Sequence, residues 1–102
     1  MDDTKHEGWT NYETWAVKLH MDNDETAYNY WRLLTTGIAE HANGPGRTAA
    51  GLLADHLKAR HEEQLPELQG FAADLLTAAF GEVNWYEIAE SLLEAVRENA
   101  IA

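Results

Sequence analysis

The sequence predicts an all-α protein, a single compact bundle of about five helices. Three observations carry that expectation. Apolar residues recur at three- and four-residue spacing through most of the chain. Helix-capping residues stand in front of most of these stretches. No segment alternates apolar and polar residues convincingly enough to read as a strand.

The first helix is expected to start on a capping box, with Thr10 as N-cap and Glu13 three residues on, followed by an inner face of Tyr12, Trp15, Ala16 and Leu19. Asp22, Asn23 and Asp24 end it and cap the second helix, which runs from about Glu25 to Ala42. Tyr28, Trp31, Leu34 or Thr35, and Ile38 form its stripe. Asn43-Gly44-Pro45-Gly46 is the strongest breaker in the chain and reads as an exposed loop. Thr48 caps a third helix with Leu52, Leu53, His56 and Leu57 inward, before the charged stretch from Lys58 to Glu63. Pro66 suits the first turn of a fourth helix, which carries Leu68, Phe71, Ala72, Leu75, Leu76 and Ala79 inward and ends at Gly81 in the left-handed conformation. A second capping box, Asn84 with Glu87, opens the last helix on a face of Trp85, Ile88, Ala89, Leu92, Leu93 and Val96. Asn11-Tyr12-Glu13 and Asn84-Trp85-Tyr86-Glu87 echo one another, and shared capping chemistry explains the likeness better than duplication does.

At 102 residues the chain reads as one domain over 1–102, with residues 1–8 expected to be a flexible start and the last few residues to fray. Its 18 acidic residues against 7 basic ones give a net charge of −11. That balance argues against direct nucleic-acid binding, which needs Lys and Arg to displace phosphate counterions. It argues equally against an anionic membrane surface. The natural complement is a basic protein; the competing explanation of the charge is solubility. The absence of cysteine removes any disulfide framework or thiolate chemistry and fits a reducing cytoplasm. Met1-Asp2-Asp3-Thr4-Lys5 has no basic or apolar leader character, and no apolar stretch approaches bilayer length.

Catalytic and metal patterns fail one by one. His56 and His61 lie five apart, about 140° round a helix. The acidic spacing at Asp22 and Asp24 opens like a calcium loop, but Ala27 and Leu33 occupy the positions that need glycine and glutamate. The single serine, Ser91, lies inside the last helix with no strained elbow around it. Gly44 and Gly46 do not make a phosphate loop, because the lysine and the preceding strand are missing. Most paired carboxylates sit at helix starts, where dipole and capping account for them. The chain therefore reads as non-enzymatic, with no cofactor and no metal.

Two features remain. Glu87, Glu90, Glu94 and Glu98 form a line of carboxylates along the last helix, with Asp74 and Glu82 earlier in the chain as further acids near it. Such a line can imitate the anion spacing of a nucleic-acid backbone; its bland counterpart is a solvated polar face relieved by Arg97. The second feature is the aromatic set, most of which suits a core. Tyr86 follows Trp85 and Tyr30 precedes Trp31, and adjacent residues point about 100° apart. Tyr30 and Tyr86 are therefore the candidates for an exposed contact site.

Asn11 to Asp24 (NYETWAVKLHMDND), the Tyr30-Trp31 pair and Val83 to Leu93 (VNWYEIAESLL) resemble small proteins encoded by bacteriophages and plasmids. That group opens on an Asn-x-Glu-Thr-Trp element, closes on an Asn-Trp-x-Glu-Ile-Ala element and has no assigned activity. The resemblance covers both ends, about a quarter of the chain, and leaves Gly44 to Gly70 undiagnostic. It implies a mobile-element protein in the cytoplasm of a bacterial host. The expected function is inhibition of a host defence or DNA-binding protein, a partner with a basic, nucleic-acid-binding surface. Glu87, Glu90, Glu94, Glu98, Tyr86 and Tyr30 are the expected contact residues. The alternative is a structural or regulatory module that forms a homodimer through apolar helix faces.

Overall fold

The computed structural model describes residues 5–41 and 48–101, with side chains described as far as Glu98. The expected Asn43-Gly44-Pro45-Gly46 loop, the end of the second helix at Ala42 and the first part of the N-terminal stretch lie outside the described residues. Five helices are present among those described: α1 (Tyr12–Asn23), α2 (Glu25–His41), α3 (Ala49–Glu63), α4 (Phe71–Gly81) and α5 (Trp85–Ile101). The fold is all-α, and none of these helices is long and apolar enough to cross a membrane.

Side-chain caps fix three of the helix starts where the sequence places them. Asp24 Oδ1 accepts from Ala27 N–H at 3.2 Å, Thr48 Oγ1 from Gly51 N–H at 3.0 Å, and Asn84 Oδ1 from Glu87 N–H at 3.0 Å. At α1 the cap is Asn11 and not Thr10: its Oδ1 accepts from both the N–H (2.9 Å) and the hydroxyl (2.6 Å) of Thr14. Asn11 Nδ2 donates to the Glu82 carbonyl at 2.7 Å. The Thr14 hydroxyl in turn accepts from the Asn84 N–H at 2.8 Å. The starts of α1 and α5 are thus joined through a fully buried threonine whose hydroxyl both donates and accepts.

That junction decides which side of α1 faces inward. Thr14 and Met21 are buried and Val17 packs against the core, a face about 180° from the expected one. Tyr12 and Leu19 are exposed instead, and Trp15 is half-buried. Apolar residues occur on both sides of α1, so periodicity alone cannot choose between them. Ahead of α1, His6 and Trp9 exchange backbone hydrogen bonds of 2.9 and 2.8 Å around Glu7 and Gly8, both at positive φ. This is the geometry of a tight two-residue turn. It lays the His6 ring 4.5 Å from Trp15 and 5.2 Å from Tyr12.

The core gathers on α5, which packs on α1, α2 and α3; α2 also packs on α1 and α3. Ile88, Ala89 and Leu93 of α5 meet Leu53 and Leu57 of α3 with Trp31 and Ile38 of α2. Rings from four helices run through this core. Trp31 of α2 stacks on His61 of α3 at 5.7 Å and 11°, His61 lies 5.2 Å from Trp85 of α5, and Trp85 lies 5.2 Å from Phe80 of α4. The His61 Nδ1 is 2.7 Å from the Leu57 carbonyl, which can only accept, so that nitrogen carries the proton. His56, expected inward, is exposed, and Tyr28 is half-exposed at the open edge of the α2 stripe.

The fourth helix departs most from expectation. It begins at Phe71 rather than Pro66, behind Gly70 at φ 67°, a backbone angle that glycine adopts without strain. No residue of α4 is buried. Phe71 and Leu75 point to solvent and Leu68 precedes them exposed, whereas all three were expected inside. The reason is that α5 is already enclosed by α1, α2 and α3, leaving only the last turn of α4 to reach the core, through Phe80. Gly81 is the last helical residue and not a left-handed cap; Glu82 continues right-handed, its N–H bonded to the Ala79 carbonyl at 3.1 Å.

Asn11→Ala should lower stability by about 2 kcal/mol, the sum of a lost cap and a stranded Thr14 hydroxyl, read as a lower urea midpoint. Thr35 offers the opposite case. It is fully buried in α2, and its hydroxyl finds no hydrogen-bond partner among the described residues. Thr35→Val should therefore raise stability by about 1 kcal/mol in the same titration.

Candidate functional site

Three of the four expected glutamates come together with one of the two expected tyrosines. Tyr86, Glu90, Glu94 and Glu98 follow one another at four-residue intervals along α5, which keeps them on one side of the helix. They line one wall of an open groove of about 470 Å³, with Leu93 and Arg97 beside them. The other wall is the start of α3, Thr48, Ala49 and Ala50. The carboxylates of Glu90, Glu94 and Glu98 make no hydrogen bond or ion pair among the described residues. Like charges in a row repel, and two features offset the repulsion. Arg97 stands among the carboxylates, and the α3 N-terminus opposite is the positive end of a helix whose first turn has no acidic residue of its own.

Glu87 does not belong to that wall. Its carboxylate accepts from the Thr10 N–H at 3.1 Å and helps join the starts of α1 and α5. Its capping role is therefore half of a box: its own N–H bonds Asn84, while its carboxylate reaches across to Thr10 and not back to Asn84. Tyr30 lies away from the groove, on α2. The Arg60 guanidinium sits 4.8 Å from its ring centre and Trp31 meets it edge-on at 4.9 Å, so its exposed ring already has two neighbours. Asp74 and Glu82 do not line the groove either.

The remaining hollows differ in character. A small apolar one among Met21, Tyr28, Arg32, Leu92 and Val96 encloses about 40 Å³, well short of the several hundred that a drug-sized ligand needs. His20 shares an open polar groove of about 290 Å³ with Asn23, Asp24, His61 and Gln64. There His61 is held by its two tryptophans and the Leu57 carbonyl. No group of three or more His, Asp or Glu among the described residues is placed to hold a metal ion.

Sequence reasoning missed the α3 wall of the acidic groove, since nothing local links Thr48 to Glu94. It also missed the exposed face of α4, where apolar composition pointed inward.

Fold and site together define a small all-α protein with an acidic grooved surface. Residues 2–99 match the model of a family of unknown function, DUF7249, and the chain belongs to that family. No curated protein and no solved structure matches it.

Glu87→Ala should cost about 1 kcal/mol in thermal unfolding, through the orphaned Thr10 N–H. Glu87→Gln keeps a carbonyl acceptor there and should lose only the charge at the helix start, about 0.5 kcal/mol.

Proposed function

We propose that this is a non-enzymatic binding protein that takes a basic partner protein on the groove wall of Tyr86, Glu90, Glu94 and Glu98. The observation that carries the reading is a row of three carboxylates with no hydrogen bond or ion pair among the described residues, set beside a half-exposed tyrosine. Charge left unpaired on a rigid helix repels other carboxylates of the same chain and is relieved by Lys or Arg brought from outside. Tyr86 adds an amphipathic ring of the kind enriched at protein contacts. The wider charge supports the same partner, since no Lys or Arg occurs between Arg60 and Arg97.

The resemblance to phage- and plasmid-encoded proteins supports a finer reading, inhibition of a host defence or other DNA-binding protein by occupation of its basic groove. From Glu90 to Glu98 the helix rises about 12 Å, the axial length of three to four phosphates on one DNA strand. In this reading the carboxylates stand where phosphates would, and Tyr86 packs at the edge.

The test is capture from a bacterial lysate at about 50 mM and about 500 mM salt, with wild type and with the variant Glu90→Gln, Glu94→Gln, Glu98→Gln. Wild type should hold a DNA-binding protein at the lower salt only and release it to added duplex DNA. The variant should fold as wild type does and capture nothing. Retention of the same protein by the variant overturns the proposal.

A further inference from the structure

The small apolar hollow between α1, α2 and α5 has a rim unlike its floor. Met21 is buried and Leu92 and Val96 are half-buried, and these three form the floor. Asp22, Tyr28 and Arg32 line the same hollow from exposed positions and therefore form the rim. Leu92 and Val96 each lie about 160° round α5 from Glu94, which puts the hollow on the opposite side of that helix from the acidic groove. An apolar floor with a few polar groups at one edge is the usual construction of a small-molecule site.

Volume sets the size of the occupant. The hollow encloses about 40 Å³. A water takes up about 30 Å³ of the liquid, so the floor holds only the end of a chain of about two or three carbons. Water itself is a poor occupant, because Met21, Leu92 and Val96 offer it no polar side chain.

Charge at the rim sets the head group. Lys18 Nζ reaches both carboxylate oxygens of Asp22 at 2.7 Å, so the acid of the rim is already met by a cation of its own helix. The Arg32 guanidinium makes no hydrogen bond or ion pair among the described residues. Tyr28 stands one turn before it on the same side of α2, and its hydroxyl is likewise unbonded among the described residues. Both side chains donate hydrogen bonds, and a guanidinium meets a carboxylate with two parallel N–H···O bonds. In a chain of charge −11, a cation unpaired beside an apolar hollow selects an anion with an apolar tail.

From these observations we infer that the hollow binds a short-chain alkyl monocarboxylate, a free small molecule of about four carbons. Its alkyl end lies among Met21, Leu92 and Val96, its carboxylate is held by Arg32, and the Tyr28 hydroxyl is the second donor. The site shares no lining residue with the acidic groove and does not rest on the protein-binding reading of that groove.

The probe is sodium butyrate, followed at constant ionic strength through the methyl signals of Met21, Leu92 and Val96 in nuclear magnetic resonance. Those signals should move together and saturate with a dissociation constant on the order of 1 mM, the scale for so small a ligand. Acetate keeps the head group without the chain, butylammonium keeps the chain with the opposite charge, and each should bind at least about tenfold more weakly. Arg32→Gln should weaken butyrate at least about tenfold. That side chain is exposed, so the helical spectrum and unfolding midpoint should hold. Arg32→Lys restores the charge without the planar fork and should recover part of the loss. The variant Glu90→Gln, Glu94→Gln, Glu98→Gln should bind butyrate within about threefold of wild type. No saturable movement of these methyls by about 20 mM butyrate, equal binding of acetate or butylammonium, or unchanged binding in Arg32→Gln each overturns the proposal. Failure here leaves the groove proposal standing, because the two rest on different residues and different probes.

Discussion

One buried hydroxyl organises the bundle. Thr14 has no exposed surface, so every polar atom it carries needs a partner inside the protein. Its N–H and O–H both go to Asn11 Oδ1, and its oxygen takes the N–H of Asn84. Asn11 is committed in turn, through its Nδ2, to the Glu82 carbonyl, and Glu87 reaches back to Thr10. Two helix starts that would each leave backbone donors unmet satisfy one another. The rotation of α1, the seating of Met21 and the position of Trp85 all follow from this arrangement. The elements Asn11 to Trp15 and Asn84 to Ala89, near opposite ends of the chain, are therefore in contact. The chemistry they perform here is capping and joining, which accounts for Asn, Thr and Glu at those places without any reaction.

Much of the fold is legible in the sequence because caps are local. Asp24, Thr48 and Asn84 start helices where their side chains can reach an N–H two or three residues on, and no distant residue is needed to see it. The displaced cap at α1 is the instructive exception: Thr10 and Asn11 are both good caps, and the choice falls to Asn11 because only it has a second group for the Glu82 carbonyl. The inner faces of α1 and α4 were misread for one physical reason. Periodicity finds a stripe, but apolar residues on two sides of a helix leave it undecided which stripe is used, and only the neighbours decide.

Of the surface read from α5, Tyr86, Glu90, Glu94 and Glu98 line one groove and Glu87 does not. Spacing by four places Tyr86, Glu90, Glu94 and Glu98 on one side whatever the rest of the chain does. What spacing cannot tell is that Glu87 is claimed by Thr10, or that Tyr30 is claimed by Arg60. Both losses are tertiary, between residues 77 and 30 positions apart in the chain. The α3 wall of the groove is invisible for the same reason.

The junction of α1 and α5 also sets an order on synthesis. Thr14 and Asn84 are 70 residues apart. At ordinary translation speeds of about 5 to 20 residues per second, α1 waits roughly 4 to 14 s before its partner is made. Through that interval the hydroxyl has only Asn11, and Met21 and Trp31 await the helix they pack on. An all-α chain usually folds fast because its contacts are local. Here the contact between α1 and α5 spans most of the chain, and the packing of α2 on α1 and α3 shortens the loop that it closes. The junction is complete only once the last helix has been made.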